Sequence, residues 1–438
     1  LVREKRISET AEPPKGYDGV CMGILITNVL LDKEKTDVLI EGNRIAAIGS
    51  LGERQADTRI DGTGKAILPS LMNGHTHAAM TLLRGYADDM PLGVWLEENI
   101  WPIEARMTEE DVYWGTKFAC LEMIRTGTTF FADMYWHLPG TVRAVEEMGI
   151  RAGISSAFFD FGIQERAKQA KAQVEQFHEA YASSSDRIIF TLGPHAIYTV
   201  SKDSLAWVVR YAAEKDLLIH LHVSETSVEV ENCRKEHGMR PVAYLDSLGM
   251  LSNRLMACHC VWLSDHEIEL LAQNNVQIVH SPASNRKLVS GGFNYASLAE
   301  KGLNIGLGTD GCASNNNLDM FEEMKIAALL AKSVADDPTV LPAEDAFAMA
   351  TKNMAAMYGL DCGEIREGML ADCMLVDLDH PQLIPNHNLL SNIVYSANGD
   401  CVDTVICNGC VLMENRVVPG QEEIIAGFRG AVDRLVHS

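Results

Sequence analysis

Two histidines one residue apart, in Asn73-Gly74-His75-Thr76-His77, are the first residues of the chain whose spacing suggests chemistry. On a strand, residues two apart point to the same side, so both imidazoles can face one ion. A lone His-x-His is often just two polar residues in a loop. Here His222, in His220-Leu221-His222-Val223-Ser224-Glu225, and Asp310, in Gly308-Thr309-Asp310-Gly311, add a third imidazole and a carboxylate. Three His and one Asp suit zinc or a neighbouring divalent ion, with one position left open for water. Glu225, three residues beyond His222, could shuttle a proton between that water and a substrate ring nitrogen. Read alone it is better explained as a helix-start acid favoured by the dipole; beside a metal ligand, catalysis explains it better. His259 could hydrogen-bond the water or a developing oxyanion, or be a histidine held by a backbone carbonyl.

Such residues need elements to converge them. Over 23–67, short apolar runs alternate with turn residues such as Gly42-Asn43, the texture of a β-meander. The same texture returns after Gly363, in 371–376 and in 402–413 around Asn408-Gly409. Between these ends, short apolar strands alternate with helical stretches such as 108–126, 202–215 and 265–274, which implies parallel βα units. Eight candidate strands end near His77, Met134, Phe159, His195, Glu225, Trp262, Pro282 and Gly311. Eight repeats predict an α/β fold, a (β/α)8 TIM barrel with catalytic groups at the C-terminal ends of its strands. Those ends carry His75 and His77, Asp133, His195, His220 and His222, His259, His280 and Asp310. With only 14 histidines in the chain, that clustering is not expected by chance. The predicted organisation is a disordered leader over 1–16, a small β-sandwich domain from 17–67 and 363–425, a barrel over 68–362 and a C-terminal helix over 426–438.

The chain has 438 residues and is 47% hydrophobic, enough for a large core and more than one domain. Its 37 Lys and Arg against 60 Asp and Glu give a formal charge of -23, which disfavours nucleic-acid and anionic-lipid partners. No apolar run approaches the roughly 20 residues needed to span a bilayer, and 1–16, charged and containing Pro13-Pro14, has no secretory apolar region. A cytoplasmic, homo-oligomeric protein is expected. The 11 cysteines follow no disulfide rhythm. Cys407-Asn408-Gly409-Cys410 reads as a two-residue hairpin turn rather than a redox or zinc motif.

Taken together, the motifs are similar to those of the amidohydrolase superfamily, and within it to the 5-methylthioadenosine/S-adenosylhomocysteine deaminase and chlorohydrolase group. The matching stretches run in order along nearly the whole chain beyond the leader. They are 73–77 with Thr81-Leu82-Leu83-Arg84-Gly85, Trp95-Leu96 with Trp101-Pro102-Ile103-Glu104, Gly193-Pro194-His195, 220–225, Ala257-Cys258-His259-Cys260, His280-Ser281-Pro282-Ala283-Ser284-Asn285, and 308–311 with Ser314-Asn315-Asn316.

The resemblance implies a barrel beside a β-sandwich and one zinc or iron ion on His75, His77, His222 and Asp310. Asp310 would also accept a proton from the attacking water, Glu225 would protonate the ring nitrogen, and His259 would orient the nucleophile. Glu104 would grip the ribose hydroxyls, and His195 would line the same pocket. Two-metal relatives place a bridging Lys or Glu at the end of strand four; Leu192-Gly193-Pro194-His195 has neither, so one metal is expected. Relatives acting on S-adenosylhomocysteine often carry an arginine after strand three. Here Ile154-Ser155-Ser156-Ala157-Phe158-Phe159 has none, and Arg166 comes later.

The expected activity is therefore metal-dependent hydrolytic deamination of an adenosine-type nucleoside (5-methylthioadenosine, adenosine or S-adenosylhomocysteine), a small or apolar 5′ group being preferred. The alternative keeps the site and changes the heterocycle to guanine, cytosine, pterin or a triazine. A catalytically dead scaffold would show gaps among the ligands or at Glu225, and there are none.

Overall fold

The computed structural model describes residues 23–52, 54–90 and 92–437; the predicted leader over 1–16 lies outside them. Among these residues sixteen strands form two sheets of eight. Strands β1 (Ile24–Leu31), β2 (Glu34–Glu41), β3 (Arg44–Gly49), β4 (Thr58–Asp61) and β5 (Lys65–Pro69) come first. The barrel strands follow: β6 (Leu71–Thr76), β7 (Thr128–Tyr135), β8 (Arg151–Phe158), β9 (Ile188–Pro194), β10 (Ile219–Val223), β11 (Leu255–His259), β12 (Gln277–His280) and β13 (Ile305–Leu307). Then β14 (Cys373–Asp377), β15 (Val402–Cys407) and β16 (Cys410–Met413) return to the first sheet, whose order is β16-β15-β14-β5-β1-β2-β3 with β4 on β1.

That sheet is mixed and folds over its own core. A register break between Ile26 and Val29 lets β1 pair with β4 in its first half and meet β5 at Leu30. Ile24, Ile26, Val38, Ile40, Ile67, Cys373 and Leu375 meet beneath it. The turn between β15 and β16 is the predicted hairpin: Asn408 and Gly409 both take positive φ, 52° and 72°, and Cys407 pairs with Cys410.

The barrel strands pair in parallel in sequence order from β6 to β13. Their near-continuous burial, as in Thr-Thr-Phe-Phe-Ala-Asp-Met-Tyr of β7, is what helices outside and packed side chains inside demand. The helix Lys352–Tyr358 closes the end away from the site. There Met354 packs where a side chain on Gly74 or Gly306 would stand, and the Tyr358 ring fills the space beside Gly153. The seam between β6 and β13 is closed at its catalytic end by polar bonds. The Asp310 N–H donates to His75 O at 2.8 Å, and the Thr309 N–H to Asn73 Oδ1 at 3.0 Å. Gly308 lies so close to β6 that a Cβ on it would stand 2.6 Å from His75 N.

Two strands stop three or more residues short of their predicted ends. The pattern carries strand six to Trp262 and strand eight to Gly311, whereas they end at His259 and Leu307. His259 and Cys260 take φ of 71° and 48°, and Asp310 takes 63°; a left-handed residue ends a strand whatever apolar residues follow. The C-terminal helix begins at Gln421 rather than 426 and reaches His437. It lies against the helix Glu109–Arg125, with Phe428 stacked on Phe118 at 3.9 Å between ring centroids. Ala431 and Leu435 join a cluster that runs through Trp95 and Ile103. No described helix is long and apolar enough to cross a membrane.

Candidate active site

His75, near the end of β6, and His77 just beyond it are joined by His222 on β10 and Asp310 after β13 at the C-terminal mouth of the barrel. Each imidazole has its Nδ1 occupied. His75 Nδ1 lies 2.7 Å from His220 Nε2, His77 Nδ1 2.8 Å from Met134 O, and His222 Nδ1 2.7 Å from His195 O. A carbonyl can only accept, so the rings of His77 and His222 hold their protons on Nδ1 and present bare Nε2 lone pairs. One ring nitrogen from each of His75, His77 and His222 lies within 4.8 Å of the others. Asp310 Oδ1 stands 3.4 Å from both His75 Nε2 and His77 Nε2. His75 Nε2 is buried and has no hydrogen-bond partner among the described residues, an arrangement that costs free energy unless a cation completes it. The donor set of three imidazole nitrogens and one carboxylate oxygen fits a divalent metal.

The protonation states agree with that fit. Burial and the neighbouring imidazoles push His222 well below the ordinary histidine range, and burial brings His75 down to about 4, so both are neutral. Burial opposes the charge of Asp310, but His75, His77 and His259 prevail and hold its carboxyl well below the usual range. Its Oδ2 accepts from Ser284 Oγ at 2.6 Å and its Oδ1 from the Gly311 N–H at 2.8 Å.

Glu225 enters from the turn after β10. Its Oε2 lies 3.8 Å from His259 Nε2, and its Oε1 takes a long bond from Ser290 Oγ at 3.4 Å. Burial raises its carboxyl, opposed by His259 and reinforced by Asp310, so the environment favours a proton on Glu225. The Asn285 amide donates to His259 Nδ1 at 3.0 Å, which leaves the His259 proton on Nε2, facing the site. Farther out, Glu104 is buried and accepts from the Tyr135 hydroxyl at 2.6 Å. His195 bonds Thr199 Oγ1 through Nδ1 at 2.9 Å and stacks on Phe159 at 4.5 Å. One pocket, walled by Trp95, Trp101 and Trp136, joins His77, His222, Glu225, His259 and Asp310 to Glu104 and His195.

Apart from His75, which is fully buried, every site residue named from the sequence therefore lines one cavity. Of the other strand-end residues, Asp133, His220 and His280 do not. Asp133 turns its Oδ1 to the Ala78 N–H, and His280 stacks on Phe293 at 3.9 Å. Sequence reasoning missed His220, Tyr135, Asn285 and Ser284 as partners. Only the motif 280–285 held a signal for the last two, since their bonds join residues 26 apart in the chain.

Residues 66–412 match the model of the amidohydrolase family. The chain is 47% identical over 425 residues to the 5′-deoxyadenosine deaminase of Methanospirillum hungatei, covering 95% of each chain. It is 48% identical over 386 residues to the 5-methylthioadenosine/S-adenosylhomocysteine deaminase 1 of Archaeoglobus fulgidus, covering 88% of this chain and 90% of the other. Among solved structures it resembles an adenosine deaminase from Xanthomonas campestris with bound zinc, with a TM-score of 0.89, 34% identity and coverage of 95% and 98%.

Proposed function

The chain belongs to the amidohydrolase family, and we propose that it is a metal-dependent deaminase that hydrolyses the amino group of adenosine-type nucleosides and releases ammonia. The observation that carries this reading is one pocket lined both by Glu225, His259 and Asp310 and by Glu104, to which the Tyr135 hydroxyl donates at 2.6 Å. A heterocycle against the first three and its ribose against Glu104 would occupy it.

His75, His77, His222 and Asp310 would hold one divalent ion, zinc before iron, and it would supply a water of lowered pKa, toward about 7. Ionised Asp310 would take a proton from the water that attacks the amino-bearing ring carbon. Glu225 gives its own proton to the adjacent ring nitrogen, and His259 Nε2–H donates to the developing oxygen. The proton on Asp310 would then pass to the amino group, the C–N bond would break and ammonia leave, and the added hydroxyl would give its proton back to Glu225 as the ring carbonyl forms, the ring nitrogen keeping its own.

Past Glu104 the cavity continues along Trp136, Phe159 and Phe161, with Arg166 against Phe161 at 5.8 Å. Such an aromatic wall favours an apolar 5′ group. We rank 5′-deoxyadenosine and 5-methylthioadenosine ahead of S-adenosylhomocysteine, whose charged tail would have to pass that wall to reach Arg166. The reading includes a cytoplasmic homo-oligomer, which cell fractionation and light scattering test.

The test is ammonia release by purified protein from adenosine, 5′-deoxyadenosine, 5-methylthioadenosine, S-adenosylhomocysteine, guanine and cytosine, and chloride release from a chlorinated triazine. Activity confined to the nucleosides is expected; failure on all of them overturns the reading. Glu225→Gln is expected to lower turnover by about 10²–10⁴-fold with metal content intact, and near-parental activity in that variant would remove Glu225 as the acid.

A further inference from the structure

We propose that Glu229, in the first turn of the helix Ser227–His237, is a positioning residue that sets the aim of Glu225; the inference rests on Glu225 being the acid. Between the end of β10 and that helix the chain reverses at Ser224, whose φ is 51°. A non-glycine residue stays in that region only when its surroundings hold it there. The carbonyl side of the turn is fixed by the neighbouring strand end, since Ser224 O accepts from the N–H groups of Val261 at 3.1 Å and Trp262 at 2.9 Å.

The amide side is fixed by Glu229 alone. Its Oε1 accepts from the Ser224 N–H at 2.9 Å and its Oε2 from the Glu225 N–H at 2.8 Å. One carboxylate thus spans two successive amides, and the second amide belongs to the catalytic acid.

The ordinary explanation of an acid in a first helical turn is that it caps its own helix. That task falls to Thr226, whose Oγ1 accepts from the Glu229 N–H at 3.1 Å. Glu229 instead points both oxygens backward, out of the helix and onto the strand end. It is 6% exposed, and burying a carboxylate is unfavourable unless its bonds recover the loss. What the bonds secure is the direction in which Glu225 leaves the backbone. Among the described residues its side chain is held by the 3.4 Å bond from Ser290 and the 3.8 Å approach of His259. A general acid displaced by a fraction of an ångström loses much of its effect.

The experiment uses the metal-loaded protein and compares Glu229→Gln, Glu225→Gln and the double variant with the parent. Gln keeps the shape of Glu229 but turns one acceptor into an N–H donor facing an N–H. For Glu229→Gln, kcat is expected to fall roughly tenfold to a hundredfold while KM stays within about twofold and metal content is unchanged. Because Glu229 acts through Glu225, the double variant is expected to be no slower than Glu225→Gln alone. Should Glu229→Gln fold poorly, Glu229→Asp, which keeps the charge and shortens the reach, is read in the same way. A kcat within about twofold of the parent, a loss confined to KM, or an added loss in the double variant overturns the proposal. Parent-like turnover by Glu225→Gln alone is a different result, because it removes the acid itself rather than its support.

Discussion

Glu104 lies buried at the outer end of the pocket, its Oε1 accepting from Tyr135 at 2.6 Å, and burial raises its carboxyl from 4.5 to about 8. Between those pH values the folded chain holds a proton that the unfolded chain has released. Rising pH therefore favours unfolding across that window, and the effect levels off above it. Glu104→Gln keeps an acceptor for Tyr135 and removes the titration. In nucleoside-free protein, the melting temperature of the variant minus that of the parent should rise between about pH 5 and about pH 8. A difference that does not move with pH would mean the carboxylate is solvated. His75, His77, His222, Asp310 and Glu225 were legible because each sits at a strand end within a short motif. Glu229 was not, and His220 was legible only as a strand-end histidine, because nothing in their spacing says that one clamps the Glu225 amide and the other sits on His75 Nδ1. A contact between strands 145 residues apart leaves no local pattern.

Between elements, the seam of β6 and β13 is the place where packing and metal binding depend on the same atoms. His75 donates its ring to the ligand cluster while its backbone accepts from Asp310, and Gly308 makes that approach possible by lacking a side chain. In Gly308→Ala the new methyl would meet His75 N, Cβ and O at 2.6, 2.7 and 2.9 Å, backbone and near-backbone atoms that cannot swing away. The expected result is a loss of about 1–3 kcal/mol together with reduced metal content, read by denaturant unfolding and elemental analysis. A stable, fully metallated variant would show that the seam can open without disturbing the ligands. Strand identity and order were readable from apolar runs because buried parallel strands demand them. The ends of β11 and β13 were not, since left-handed turns at His259 and Asp310 override residues that otherwise favour extension.

For the molecule as a whole, the chain-end sheet and the barrel behave as one piece. Only Ser70 separates β5 from β6, and its Oγ lies 2.5 Å from Thr129 Oγ1 of β7. Arg151 on β8 bonds Asp372 at 2.7 Å, both buried, and also reaches Asn408 in the β15–β16 turn at 2.6 Å. The sequence texture showed that both ends build one β module; it did not show this polar weld, whose partners are 221 and 257 residues apart. Welding has a consequence for the cysteines. Cys120, Cys258, Cys260, Cys312, Cys373 and Cys407 are all buried, and burial raises every one of their thiols. They line the interior of both modules, so a thiol-reactive dye can reach them only through the opened chain. Dye uptake then becomes a clock for opening: these six sulfurs should react together and slowly, and faster once a chelator withdraws the stabilisation that a bound ion gives the native state. Stepwise labelling, with Cys373 and Cys407 ahead of Cys258, would mean that the chain-end sheet breathes on its own.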